Sequence, residues 1–333
     1  MSGVPPQVRV LGWLAGILSV SLVVSVMAVG AVMANAVTAR GASVRTFSVG
    51  SQPTVEVNTT VGDVEVGSGP PGRVDVEEGW TASSLTRAAA AAELKGVQGG
   101  IRQQGDLVQV RFSALGLTSW AFNRSSSVRV TVPQGTTLRV TADSAEVRLS
   151  GLSGTLQVID RAGMVALESS QLTGDSQLQS RFGELRLDSV TVAGHTTLTS
   201  ELGRIAFNGS LAPGGSTLDV HNGAGEVAMM LPQPTDARAR VAVQSGSFSA
   251  DPAWGFQVLS AGGSRTATAD LGANPSGSVS ITVGAGEVSF GVGPVSAAPA
   301  RQALAGPPAL GGVLQRPHRR PASPPAVGPP RPA

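Results

Sequence analysis

At 333 residues the chain is long enough to bury a sizeable core in one or two domains. The absence of Cys excludes disulfides and thiolate metal sites, and Lys95 is the one lysine among 24 basic residues. The net charge of +2 hides a segregation: residues 46–294 carry 16 basic and 22 acidic groups, whereas 295–333 carry five Arg and no acid. A domain at −6 is excluded from nucleic-acid binding by the basic-patch criterion.

Residues 1–9 form a short N-terminal tail whose one charge before the next segment is Arg9. Residues 10–34, VLGWLAGILSVSLVVSVMAVGAVMA, hold no charged side chain, and a bilayer-spanning helix needs roughly 20 apolar residues. A cleaved signal peptide ending at Ala34–Ala36 competes with this reading. Signal h-regions are shorter, about 7–15 residues, and follow a basic segment, so an uncleaved transmembrane helix is favoured. Arg40 and Arg45 against Arg9 would, taken alone, leave the C-terminal side in the cytoplasm. Gly12 and Gly16 are spaced for close helix–helix dimerisation, although Gly and Ala are common throughout the chain. Residues 35–45 read as a linker.

From residue 46 the chain alternates as strands do, with Val55, Val57, Val61, Val64 and Val66 among polar neighbours. SSLTRAAAAAELKG then reads as a helix, with Ser83 or Ser84 as cap, an Ala run and Gly96 as stop. Residues 106–112 and 127–135 return to strand alternation.

Beyond 135 a repeat of about 20 residues takes over. Turn glycines recur at Gly163, Gly183, Gly203 and Gly225, again at 246 and 286, with Ala145 in the first unit and a similar Gly62 earlier. Each precedes an apolar pair: Val147/Leu149, Val165/Leu167, Leu185/Leu187, Ile205/Phe207, Val227/Met229 and Val288/Phe290. Val140, Val158, Leu178, Leu198 and Val220 or Leu218 mark a second apolar position, and Leu152, Leu172 and Val192 a corner. Period 2 within a strand and period 20 between strands predict a mainly β chain: a parallel β-solenoid of about 20-residue coils over 46–294. Equivalent residues then stack about 4.8 Å apart. Val147, Val165, Leu185, Ile205 and Val227 form the core ladder, and each Gly is expected to make a turn of positive φ before its strand. Residues 295–333, rich in Pro, Ala and Arg without apolar periodicity, read as a disordered tail.

The apolar N-terminal span, the short strand–helix–strand region, VRVTVPQGTTLRV and the Gly-acid-aliphatic rungs together resemble the bacterial putative-adhesin domain of β-strand repeats, also called toastrack-like. The resemblance covers roughly residues 46–290, and the passage at 132–138 is its specific part. It implies an exported, membrane-tethered β-solenoid without established catalytic residues, some relatives belonging to envelope stress-sensing systems. Ala145, Met164 and Arg204 depart from the family pattern, which bears on local turns.

Chemistry is sparse. His195 and His221 fall out of phase on the repeat and His318 lies in the tail, so no metal site converges. Glu184, Arg204 and Glu226 read as an ion-pair ladder between coils. Arg161 and Arg181, stacked, offer an anion contact, with Arg181–Glu201 pairing as the plainer reading. Asp75, Glu77 and Glu78 read as a solvated strand end, and Trp80, Trp120 and Trp254 as packing residues. No G-x-S-x-G elbow and no phosphate-cradling helix start is present. No cofactor is expected, and no enzyme activity. The expectation is a single-pass plasma-membrane protein with its main domain extracytoplasmic, acting as a binding, scaffolding or adhesion module at the cell envelope. Its partners are the lipid bilayer and an envelope polymer or membrane protein; the alternative is an accessory of an envelope stress-sensing or signalling system.

Overall fold

Leu185 has Val165 beside it on one neighbouring strand and Ile205 on the other, and all three side chains are buried. This parallel register, seen in a computed structural model, recurs from coil to coil within residues 54–292. The model describes residues 37–84, 86–88, 97–114 and 123–294, all within one unit, Met1–Ser296; the other unit, Ala297–Ala333, is not among them. The expected membrane span, the dimerisation pair Gly12/Gly16, the disordered tail and most of the expected helix lie outside the described residues. Within them, no helix is long and apolar enough to cross a membrane.

The coils are built from β7 (Thr136–Ser150), β8 (Ser153–Glu168), the two-residue β9 (Gln171–Leu172), β10 (Asp175–Val192), β11 (His195–Leu211) and β12 (Thr217–Leu231). Neighbours pair in parallel in the order β7, β8, β10, β11, β12. In β10 the inward residues come in three runs: Ser176, Leu178 and Ser180, then Leu185 and Leu187, then Val190 and Val192. The alternation of the pleat is broken between runs, which lets one strand present three segments to a common core. Every residue of the predicted ladder, from Val147 to Val227, is buried to within 1%. Burying each such aliphatic side chain contributes about 1.5–3 kcal/mol.

The glycines do not occupy turns between strands. Gly183 and Gly203 sit inside β10 and β11, at the bend between the first and second inward runs, with φ of 152° and 151°. A Cβ on Gly203 would overlap the carbonyl oxygen of Gly183, so the stack needs Gly for backbone approach as well as for φ. Gly163, Gly183, Gly203, Gly225, Gly286 and Gly246 align in that order, with Ala145 and Gly62 continuing the column below. The repeat is also less regular than 20: Val147 faces Val165, 18 residues on, and Ile205 faces Val227, 22 residues on. The 18-residue step displaces the corner. Leu172 and Val192 stack on each other and on Gly154, while Leu152 lies two residues earlier, beside Ser170.

Both ends of the stack depart from chain order. β2 (Thr54–Ser68) is itself a coil, paired along its length with β7. Its other edge is shared by β5 (Leu107–Ala114) along Thr54–Thr59 and β6 (Asn123–Val132) along Asp63–Ser68. Antiparallel strands then cover this end: β4 (Val97–Gln104) on β5, β3 (Arg73–Ser84) on β6, and β1 (Val37–Ser48) on β3. Residues 37–45, read as linker, are therefore strand, and Ser83 and Ser84 end β3. At the other end β16 (Gly277–Val292) lies between β12 and β13 (Ala237–Ala250), parallel to both. The antiparallel β15 (Ser264–Asp270) and β14 (Gln257–Ala261) finish the sheet. Trp254 packs edge-on against Phe290 there, and Trp80 lies 6.4 Å from Phe112 at the opposite end.

Candidate functional site

The bend at each glycine turns the next two apolar residues inward and therefore puts their neighbours outward. In β10 these are Glu184, Arg186 and Asp188; in β11, Arg204, Ala206 and Asn208; in β12, Glu226, Ala228 and Met230. Ala206 and Ala228 are short, so the middle column sinks into a trough of about 370 Å³. Arg186 stands in line with the two alanines, and Glu184, Arg204, Asp188, Asn208 and Met230 also line the trough. Asn208 Nδ2 donates to Asp188 Oδ1 at 2.8 Å across the coils, and Arg204 pairs with Glu226 at 3.4 Å. Arg186 has no ion pair among the described residues and is exposed. Met230, 44% exposed, adds an apolar edge.

The predicted ion-pair ladder is thus half formed: the three residues stack, and the pair that closes is Arg204 with Glu226. Arg161 and Arg181 do stack, one coil apart, but each turns to an acid. Arg181 Nε donates to Glu201 Oε2 at 2.7 Å, and Arg161 lies 3.9 Å from Asp143. Two neutralised guanidiniums make a poor anion site. Beside them Phe182 and Leu202 form a small exposed ridge, with the Arg181 guanidinium 5.3 Å from the Phe182 ring.

His195 faces Thr217 and His221 faces Thr199, four residues apart along the strands, and His195 lies 3.8 Å from Asp219. The described residues include no group of three or more His, Asp or Glu placed to hold a metal ion. Asp75 is tied to Thr46 and Arg73 at 2.7 and 2.8 Å. Glu78 is not solvated: it follows Val74 and Val76 inward and is buried, and desolvation raises its pKa against the pull of Arg45. Asp160, also buried, escapes a motif search. Counting by twos from Leu156 and Val158 would have placed it inward.

No family model matches the chain, and no curated protein does. Among solved structures it is similar to a putative cell adhesion protein from Clostridium sporogenes, at 10% identity over 76% of this chain and 99% of that one, with a TM-score of 0.36. It is also similar to a putative adhesin from Parabacteroides distasonis (11% identity, 75% and 97% covered, TM-score 0.22). A putative lipid binding protein from the same species matches at 10% identity, with 75% and 96% covered and a TM-score of 0.24. The architecture rests on the strand register itself.

Proposed function

We propose that this chain is a non-catalytic binding or scaffolding module held at the cell envelope by residues 10–34, with its coils on the extracytoplasmic side. The observation that carries the reading is the outward trough, where fixed donors and acceptors from three successive coils surround a floor of alanine. Such a surface orients a ligand through polar contacts while offering no nucleophile with a base beside it. Its charges alternate, Glu184, Arg186, Asp188 and Arg204, so a ligand with hydroxyl or amide groups suits it better than a polyanion. The uncharged N-terminal span supplies the anchor, and the family resemblance supplies the direction.

The test is retention of the detergent-solubilised full chain on purified cell-wall polymer. Wild type is expected to sediment with the polymer, and Ala206→Arg with Ala228→Arg, which fills the trough, to lose at least tenfold in retention. Equal retention of the filled variant would remove the trough from the proposal. No retention of wild type, with one membrane protein crosslinked in equal amount, would replace wall binding by the signalling role.

A further inference from the structure

Asp160, Ser180, Ser200 and Asn222 follow one another up the stack at one inward position, just ahead of the glycine bend. None exposes more than 3% of its surface. Both Asp160 carboxylate oxygens, Ser180 Oγ, Ser200 Oγ and Asn222 Oδ1 lack a hydrogen-bond partner. Buried polar atoms are normally paired, and an unpaired buried carboxylate is among the costliest exceptions.

The side chains around Asp160 offer it no compensating positive charge. On β7 it faces Ala142, with the acid Asp143 next along. On β10 it faces Ser180; the adjacent Arg181 belongs to Glu201. On its own strand Arg161 is exposed and turned to Asp143. Inward neighbours on these strands, Val158, Val165, Leu178 and Leu185, carry no charge. The β7–β8 step is also where the repeat shortens to 18 residues and where Ala145 lies beneath Gly163 in place of a glycine.

We propose that Asp160 is a proton-operated latch: its neutral carboxyl lets β7, β8 and β10 close around it, and release of that proton to solvent opens the stack at the β7–β8 step. Desolvation raises the Asp160 pKa from 3.8 to about 6, and Asp143 pushes the same way. The backbone amides of Ala162 and Arg161 act in the opposite direction, though neither completes a hydrogen bond. Because the folded pKa is the higher one, the closed state is favoured fully below pH 3.8. That advantage is lost as the pH rises through about 6.

The experiment is amide exchange on the full chain at pH 5 and pH 7.5, with rates corrected for intrinsic exchange. Peptides from 136–168 are expected to open about tenfold more often at pH 7.5, while those from 195–231 stay unchanged. Asp160→Asn and Asp160→Ser should abolish the difference; the fold already holds Asn222 and Ser180 at this position. If Asn is not tolerated, Ser serves alone. Equal opening of wild type at the two pH values would overturn the latch, as would a pH difference that survives in either variant.

Discussion

Leu185 and Arg186 are adjacent in sequence and opposite in consequence. Leu185 is wholly buried between Val165 and Ile205, whereas Arg186 is exposed and makes no ion pair among the described residues. Leu185→Asp would bury a carboxylate without a partner, at a cost of several kcal/mol. Arg186→Asp exchanges one surface charge for another and should change stability by only about ±0.5 kcal/mol. Thermal melts of the two variants check this, with a large drop expected for the first and a nearly unchanged curve for the second. The same alternation sorts what single residues reveal in advance. Aliphatic ladders are legible because water exclusion fixes their direction. Asp160 and Glu78 were harder, since their polarity argues for the surface while the pleat, once started by Leu156 and Val158 or by Val74 and Val76, carries them inside.

At the scale of elements, parallel coils and the glycine column were readable from spacing alone, because each requires the same residue type at the same phase. The slot order was not. β12 and β16 share the pentapeptide Gly-Ala-Gly-Glu-Val and pair with those residues in register, yet nothing in spacing says that β16 enters between β12 and β13. Hydrogen bonding explains why it must be filled. Without β16, both strands would leave backbone groups unpaired and would uncover the inward apolar residues beside it, Val220, Val227 and Met229 on β12 and Val241 and Val243 on β13. A chain ending at residue 276 is therefore expected to lose its cooperative transition and to be cut rapidly within 237–276 by protease. If it melts as the full chain does, β16 adds little beyond a cover.

For the molecule as a whole, the strand boundaries set where the folding unit starts. β1 begins at Val37 and lies along β3 over its full length, so an N-terminal cut at 46 removes most of a covering strand that alternation alone did not disclose. Residues 37–294 should melt with the same cooperativity as 37–333, and 46–294 several degrees lower. A tail that packs would reveal itself as a lower melt for 37–294. The slot occupied by β16 has one further consequence, a mechanical one. Tension applied to the chain beyond Val292 does not peel a border strand one bond at a time. It loads two parallel ladders together, in shear, with Phe290 keyed against Trp254 and Phe256 behind them. A pull at that end therefore has to break two strand pairings at once, where a border strand would present one.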